Sequence, residues 1–265
     1  MIKLCKALEA IAILEAENDD EPDLSQSIAE TTNPINGFLL YDSFLSNQRF
    51  YDDLKHVNYP GLSYTYPKNM FLNNEEITLC VSQDKSLGKG GMLWDAAFIL
   101  SEYVLSAPGL LLPSSAIIEL GAGCGLVGAL LNKLNLNCVT TDLEAHLPLL
   151  TSNFERNGLS AESVRALDWS NFDELHFSKY DVVLGADIVA SLYDPELLAK
   201  TIHDVIKPTG RGCICYKSRE DQYHERFELS MKQLFESFAA EILPLSRNKN
   251  EKVKVIRFSR KKIII

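Results

Sequence analysis

The sequence predicts an α/β fold, in which a mostly parallel sheet is covered by helices on both faces. From residue 115 onward, short apolar runs typical of buried strands alternate with segments that have helical periodicity. The last two strand-like runs, 240–243 and 253–258, have no helix between them and predict an antiparallel pair at one edge of the sheet. A chain of 265 residues is long enough for one such domain and an additional segment.

The additional segment is predicted at the N-terminus, over residues 1–75, and residues 76–265 are interpreted as the main domain. The chain begins with apolar residues at helical spacing, which predict an amphipathic surface helix. Residues 15–30 hold seven acidic residues and no basic one, a composition typical of a solvated linker. A second helix is predicted at 39–54, so the extension is expected to be helical with an acidic linker.

The remaining elements follow from apolar alternation or short apolar runs for strands, and from helical periodicity for helices. The alternating runs 62–66 and 77–81 predict a small antiparallel pair, followed by a flexible glycine-rich loop at 88–91 and a helix at 93–105. The strands of the main sheet are predicted at 115–120, 138–141, 164–167, 180–186 and 212–216. The helices between and after these strands are predicted at 125–134, 146–157, 195–205 and 221–238.

The most informative motif is E-L-G-A-G-C-G, which begins at Glu119 and lies between a predicted strand and its helix. Glycines are needed where a strand turns sharply into a helix and a ligand approaches the backbone closely. Asp142 ends the next strand, 21 residues after Gly121, where a carboxylate can accept the hydroxyls of a ribose. A dinucleotide motif needs a third glycine where this chain has Leu126, and Glu119 would repel a diphosphate but suits a cationic ligand. The motif therefore predicts a nucleoside site with a cationic ligand.

Side chains at the ends of other predicted elements should meet at the same place, because ligands of open α/β sheets bind beyond the carboxyl ends of the strands. Trp169 follows the third strand, where an indole can lie against an adenine face. Ala186 and Asp187 end the fourth strand, and Trp94 lies at the start of a helix. Either tryptophan could instead be a packing residue, and Asp142 or Asp187 could cap the helix that follows it.

Composition excludes several classes of function. The net charge of −10 argues against a nucleic-acid binder and is compatible with a basic protein partner. No apolar run reaches the roughly 20 residues of a membrane helix. The six cysteines lack metal-ligand spacing, so we expect no metal site, and we interpret them as small buried residues in a reducing compartment, the cytoplasm. His146 and His203 are expected to be surface or packed histidines.

Five motifs together resemble those of the seven-β-strand class I S-adenosylmethionine-dependent methyltransferases, and within them the protein-lysine N-methyltransferases that modify elongation factors and chaperones. These motifs are G-x-x-x-W-D-A-A-x-x-L, I-E-L-G-A-G-C-G-L-V-G, T-D-L, A-L-D-W and V-V-L-G-A-D-I-V, within residues 75–260. The resemblance implies a Rossmann-like seven-strand sheet with S-adenosylmethionine as cofactor. The cofactor contacts that it implies are Trp94, Glu119, Gly121, Ala122, Gly123, Asp142, Trp169 and Ala186.

In that family an acidic residue, two further residues and a Tyr or Phe follow the fourth strand and hold the target lysine. This chain has Asp187 but Ala190 in the aromatic position, and Tyr193 comes three residues later. The resemblance therefore implies that Asp187 and Tyr193 act in catalysis on a protein substrate, such as a lysine of a basic translation factor, by a monomeric enzyme. A methyltransferase for a small nicotinamide-like amine and a cofactor-binding scaffold without turnover remain alternatives.

Overall fold

The computed structural model describes residues 59–66, 68, 75–107, 109–171, 178–217, 222–244 and 252–262. The predicted helices and acidic linker of the N-terminal extension lie outside these residues. A 3₁₀ segment, Lys85–Gly91, precedes the first helix, and short 3₁₀ turns lie at Glu144–His146 and Ala161–Ser163. The strands and helices are β1 Gly61–Tyr66, β2 Ile77–Ser82, α1 Asp95–Ser106, β3 Ile117–Leu120, α2 Leu126–Lys133, β4 Cys138–Asp142, α3 Leu147–Arg156, β5 Val164–Ala166, β6 Tyr180–Ala186, α4 Pro195–Val205, β7 Ile206–Lys217, α5 Gln222–Leu234, β8 Phe235–Pro244 and β9 Lys252–Lys261.

Seven of these strands form one sheet in the order β5-β4-β3-β6-β7-β9-β8. The five strands from β5 to β7 are parallel, whereas β9 pairs antiparallel with both β7 and β8. The predicted α/β fold, with its seven-strand Rossmann-like sheet and antiparallel C-terminal pair, is confirmed. The chain runs outward from β3 to β5 and then returns to β6, so the strand order reverses beside β3, where such sheets bind their ligands.

The core consists of two apolar clusters, one on each face of the sheet. Ile117 belongs to the cluster that contains α1 and α2, and its neighbour Ile118 belongs to the cluster that contains α4 and α5. Both side chains are fully buried, because successive residues of a strand point to opposite faces and both faces carry helices. None of the helices in the part of the chain that the structure describes is long and apolar enough to cross a membrane.

The predicted antiparallel pair of β1 and β2 is present as a hairpin separate from the seven-strand sheet, and it packs against the helices of that sheet. The hydroxyl of Tyr66 donates to Ser101 Oγ on α1 at 2.8 Å. On the other side, Asn153 of α3 and Asn157 at its C-cap use their side-chain amides to bond the backbone N–H and C=O of alternate β2 residues, Ser82 and Cys80. The hairpin is thereby fixed between α1 and α3, and it leads directly into the Lys85–Gly91 segment.

The clearest differences from the predicted elements are at the helix after β7, at the glycine-rich loop and at the start of β7. The helix predicted at 221–238 ends at Leu234, and β8 begins at Phe235, because the buried Phe235 ring packs against Phe258 of β9 at 4.7 Å. The predicted flexible loop at 88–91 belongs to the 3₁₀ segment. β7 starts at Ile206 instead of 212, since an irregularity in its pairing with β6 accommodates the turn-forming residues near its start.

Candidate functional site

A cavity of about 610 Å³ lies at the carboxyl ends of the parallel strands. This volume falls within the range of small-molecule sites, roughly 300–1,000 Å³. The cavity brings together all ten residues that the sequence singled out for cofactor binding and catalysis. They are Trp94, Glu119, Gly121, Ala122, Gly123, Asp142, Trp169, Ala186, Asp187 and Tyr193.

The glycine loop after β3 is shaped by backbone conformation and by close neighbours. Gly121 and Gly123 have φ angles of 61° and 56°, in the left-handed region that favours glycine. A Cβ on Gly121 would lie 2.7 Å from Cγ2 of Ile188, and one on Gly123 would lie 3.1 Å from the carbonyl oxygen of Gly90. The two glycines therefore let three loops approach one another and leave bare backbone at the cavity wall.

Glu119 is almost fully buried beneath this loop, with 2% of its surface exposed. Its Oε2 accepts the N–H of Gly128, in the first turn of α2, at 2.8 Å. Burial raises the pKa of the Glu119 carboxyl to about 8, opposed by the Gly128 hydrogen bond and reinforced by the charge of Asp142. A cation in the cavity would favour the ionised form of this carboxyl, which agrees with the cationic ligand that the motif predicts.

Asp142, at the end of β4, holds the glycine loop and the following turn in place. Its Oδ2 accepts the Gly123 N–H at 2.6 Å, and its Oδ1 accepts the Leu143 N–H at 2.8 Å. The Nδ1 atom of His146 lies 2.6 Å from the same Oδ1. His146 also lines the cavity, a position that its interpretation as a surface or packed histidine did not predict. Asp142 ends a strand and His146 ends the 3₁₀ turn that follows it, so the helical rule for residues four apart does not apply and no pattern in the sequence pointed to this contact.

Two aromatic residues form one wall of the cavity. The rings of Trp169 and Tyr193 meet edge to face, with centroids 5.1 Å apart and an interplanar angle of 62°. Burial raises the pKa of the Tyr193 hydroxyl, and the charges of Asp142 and Asp187 raise it further. On another wall, the Trp94 indole donates from Nε1 to the carbonyl oxygen of Lys89 at 2.9 Å. Tyr193 thus lies between the predicted cofactor residues and the end of β6.

Asp187 has an unusual backbone conformation directly after β6. Its φ angle is 55°, a left-handed value that is uncommon for residues other than glycine. Its N–H donates to the Cys215 carbonyl oxygen at 2.7 Å, and its Oδ1 accepts the Lys217 N–H at 3.2 Å. The alternative that Asp187 caps the next helix is wrong, because Asp194 is the N-cap of α4. Such conformations cluster at functional sites, where surrounding contacts hold them.

The cysteines are mostly packing residues, as expected. Four of the five cysteines among the described residues are buried, and Cys80 is exposed, which corrects the prediction for that residue. Burial raises the pKa of the Cys213 and Cys215 thiols well above their usual value. The described part of the chain holds no group of three or more His, Cys, Asp or Glu residues that could bind a metal ion.

Comparison with known proteins agrees with this geometry. The family described as lysine methyltransferase matches residues 73–233. Protein N-lysine methyltransferase METTL21A of Xenopus tropicalis is 40% identical over 129 residues, which cover 46% of this chain and 59% of that protein. EEF1A lysine methyltransferase 3 of Xenopus tropicalis is 30% identical over 200 residues, which cover 75% of this chain and 87% of that protein. The chain therefore spans less than two thirds of METTL21A but most of the second relative.

Among solved structures, the PH0226 protein from Pyrococcus horikoshii OT3 aligns with a TM-score of 0.52 at 15% identity, covering 67% of this chain and 96% of that chain. At this identity the likeness concerns the fold alone. The family match is broader, because it spans more than half of the chain and includes every residue predicted for the site. The chain belongs to the lysine methyltransferase family.

Proposed function

We propose that this chain is an S-adenosylmethionine-dependent protein N-methyltransferase that acts on a lysine of a non-histone cytoplasmic protein, such as a translation elongation factor. The observation that carries the proposal is a single cavity in which the glycine loop and Asp142 face the same space as Asp187 and Tyr193. The family supports the reaction class. The names of the two relatives, one a protein N-lysine methyltransferase and the other an EEF1A lysine methyltransferase, support the substrate class.

The residues of the cavity fit this cofactor. The bare backbone at Gly121 and Gly123 gives room for a close approach, and Asp142 offers a carboxylate oxygen for a ribose hydroxyl. Trp169 presents an apolar ring for the adenine, and the buried Glu119 carboxyl is suited to the cationic amino-acid end. When bound, S-adenosylmethionine supplies an activated methyl group on a sulfonium.

The acceptor side of the cavity has the groups that a lysine amine needs. Methylation requires a neutral amine, so the chain must admit the lysine, orient its nitrogen and let a proton leave to solvent. Asp187 can orient the amine through a hydrogen bond from a fixed backbone position. The Tyr193 ring can contact the alkyl stem or the ammonium, a contact worth about 0.5–2 kcal/mol. Because Tyr193 also touches Trp169, the acceptor would enter beside the adenine wall.

Methyl transfer from tritiated S-adenosylmethionine to the proteins of a lysate that lacks this enzyme tests the proposal. We expect label in a discrete protein band, and mass spectrometry should place the methyl group on a lysine. Purified elongation factor 1A is the first defined acceptor to assay. Label only in the small-molecule fraction would favour the alternative amine methyltransferase. Cofactor binding measured by calorimetry without any transfer would favour the scaffold.

A further inference from the structure

Three loops around the cavity meet at one side chain, that of His146. Its Nδ1 lies 2.6 Å from Asp142 Oδ1, and its ring lies directly against Gly90, where an added Cβ would be only 2.2 Å from Cε1. The Gly90 carbonyl oxygen in turn approaches Gly123, whose N–H donates to Asp142 Oδ2. These contacts form a closed ring that joins the Lys85–Gly91 segment, the glycine loop and the turn after β4.

The position of the imidazole is well defined by its surroundings. His146 ends the 3₁₀ turn before α3, and its backbone N–H donates to the Leu143 carbonyl oxygen at 2.9 Å. Its side chain is 16% exposed and lines the cavity. An ionised carboxylate only accepts hydrogen bonds, so Nδ1 must carry the proton that Asp142 Oδ1 accepts.

Asp142 has few acceptor directions left once these contacts are made. A carboxylate offers about four lone-pair sites, and the N–H groups of Gly123 and Leu143 together with His146 occupy three of them. The torsion that orients an aspartate carboxylate is broad, so the carboxylate keeps one orientation only where its partners hold it. His146 joins the Gly123 and Leu143 N–H groups in holding the face that Asp142 presents to the cavity.

We propose that His146 is a cofactor-positioning residue, which orients Asp142 toward the ribose and sets the place of the Lys85–Gly91 wall. This inference rests on the proposed function. The same wall contains Lys89, whose carbonyl oxygen accepts a hydrogen bond from the Trp94 indole. A shift of His146 would therefore also change the position of Trp94, on the other side of the ligand. Neither the motifs nor the relatives' names assign this residue a role.

Three variants separate the hydrogen bond of His146 from its bulk. His146→Ala removes both, His146→Phe keeps a ring without a donor, and His146→Asn keeps an amide that can replace Nδ1–H. His203→Ala is the matched control, because the described contacts of His203 are to Lys262, Asp204 and Phe235, away from the cavity. Affinity for S-adenosylhomocysteine is measured by calorimetry and stability by thermal unfolding.

We expect His146→Ala and His146→Phe to weaken S-adenosylhomocysteine binding by about tenfold, the loss typical of one charged hydrogen bond. His146→Asn should recover most of this loss, and His203→Ala should bind as the wild type does. A purely structural role would lower the unfolding temperature without any recovery of affinity by asparagine.

A double-mutant cycle with Gly90 gives an independent test. Gly90 is not in the left-handed region, so Gly90→Ala meets no backbone strain, and its effect comes from the clash with the imidazole. Gly90→Ala should weaken binding in the wild-type background but have little further effect once His146→Ala has removed the ring. Such non-additivity is expected for residues in contact.

The outcomes distinguish this inference from the function on which it rests. A wild-type chain that does not bind S-adenosylhomocysteine overturns both. If the wild type binds and the affinity of His146→Ala is within about twofold of the wild-type affinity, only the role of His146 is overturned, because this change is smaller than the loss of one hydrogen bond. Additive effects of Gly90→Ala and His146→Ala, or no recovery by His146→Asn, would do the same.

Discussion

Asp142 combines two tasks in one side chain, since its carboxylate anchors the glycine loop and faces the cavity. We predict that Asp142→Ala weakens S-adenosylmethionine binding by one to two orders of magnitude, roughly 1.4–2.8 kcal/mol, while the protein still folds. Asp142→Asn keeps an oxygen that can accept the Gly123 N–H, so it should retain more of the stability than the alanine variant. Calorimetry and thermal unfolding measure the two effects, and unchanged affinity in Asp142→Ala would remove the residue from the cofactor site.

The buried carboxyl of Glu119 gives a prediction about pH. With a pKa of about 8 it is largely protonated at neutral pH, and a cationic ligand lowers that pKa, so binding should release up to about one proton. Affinity for S-adenosylmethionine should therefore rise between about pH 6 and about pH 8. Calorimetry in buffers of different ionisation enthalpy counts the proton, and Glu119→Gln should abolish its release. Proton release that persists in Glu119→Gln would assign it to another group.

Asp187 and Tyr193 are predicted to act on the acceptor and not on the cofactor. Asp187→Asn is the sharper variant, because asparagine tolerates the left-handed backbone that alanine would strain. It should lose methyl transfer while cofactor affinity stays within about threefold, well below the loss of a charged hydrogen bond. Tyr193→Ala should lower turnover on the protein substrate, and Tyr193→Phe should do far less harm. Full specific activity of the folded variants in the transfer assay would contradict these roles.

Some residues of the candidate site could be predicted from sequence patterns, and others could not. The glycines, Asp142 and Asp187 could be predicted because each follows directly from a strand end, a relation that is local in the chain. His146 could not, since its role depends on Gly90, which lies in a distant segment and meets it only in the folded protein.

Among the elements, the hairpin of β1 and β2 is docked through a buried carboxyl. The Tyr64 hydroxyl donates to Glu102 on α1, and burial raises the pKa of the Glu102 carboxyl to about 7. The folded protein therefore holds a proton that the unfolded chain releases above its ordinary pKa of 4.5. Stability should fall as the pH rises from about 4.5 to about 7, by roughly 3 kcal/mol for this group at most.

Glu102→Gln cannot ionise and keeps an oxygen that can accept from Tyr64, so this variant should lose the corresponding part of the pH dependence. Urea unfolding of the wild type and of Glu102→Gln, at an acidic and at an alkaline pH, measures the difference. Identical slopes of unfolding free energy against pH in both proteins would contradict the assignment.

The element boundaries that sequence patterns missed have one physical cause. The run after Leu234 continues the apolar spacing of α5, but its antiparallel pairing with β9, together with the contact of Phe235 with Phe258, makes it a strand. Similarly, β7 begins before its glycines because β6 offers a partner for Ile206. Both boundaries depend on pairing with a strand that is distant in the sequence, and local propensity does not predict such pairing.

At the scale of the whole molecule, the glycine spacing and the fold predict which nucleoside cofactors the protein binds. S-adenosylmethionine and S-adenosylhomocysteine should stabilise the protein, and NAD should not, because Leu126 stands where a dinucleotide site needs its third glycine. A ligand at about 100 times its dissociation constant stabilises by about 2.7 kcal/mol, which a thermal-shift assay detects. Stabilisation by NAD alone would contradict the inference that the glycine loop binds S-adenosylmethionine.

The asparagine pair Asn153 and Asn157, on α3 and at its C-cap, has a consequence for self-association. Exposed strand edges recruit strands from other molecules, which leads to aggregation or domain swapping. Along β2 the outward backbone groups of Cys80 and Ser82 are already satisfied by Asn157 and Asn153. A foreign strand could pair there only by displacing both amides, so these two side chains protect the hairpin edge of the molecule.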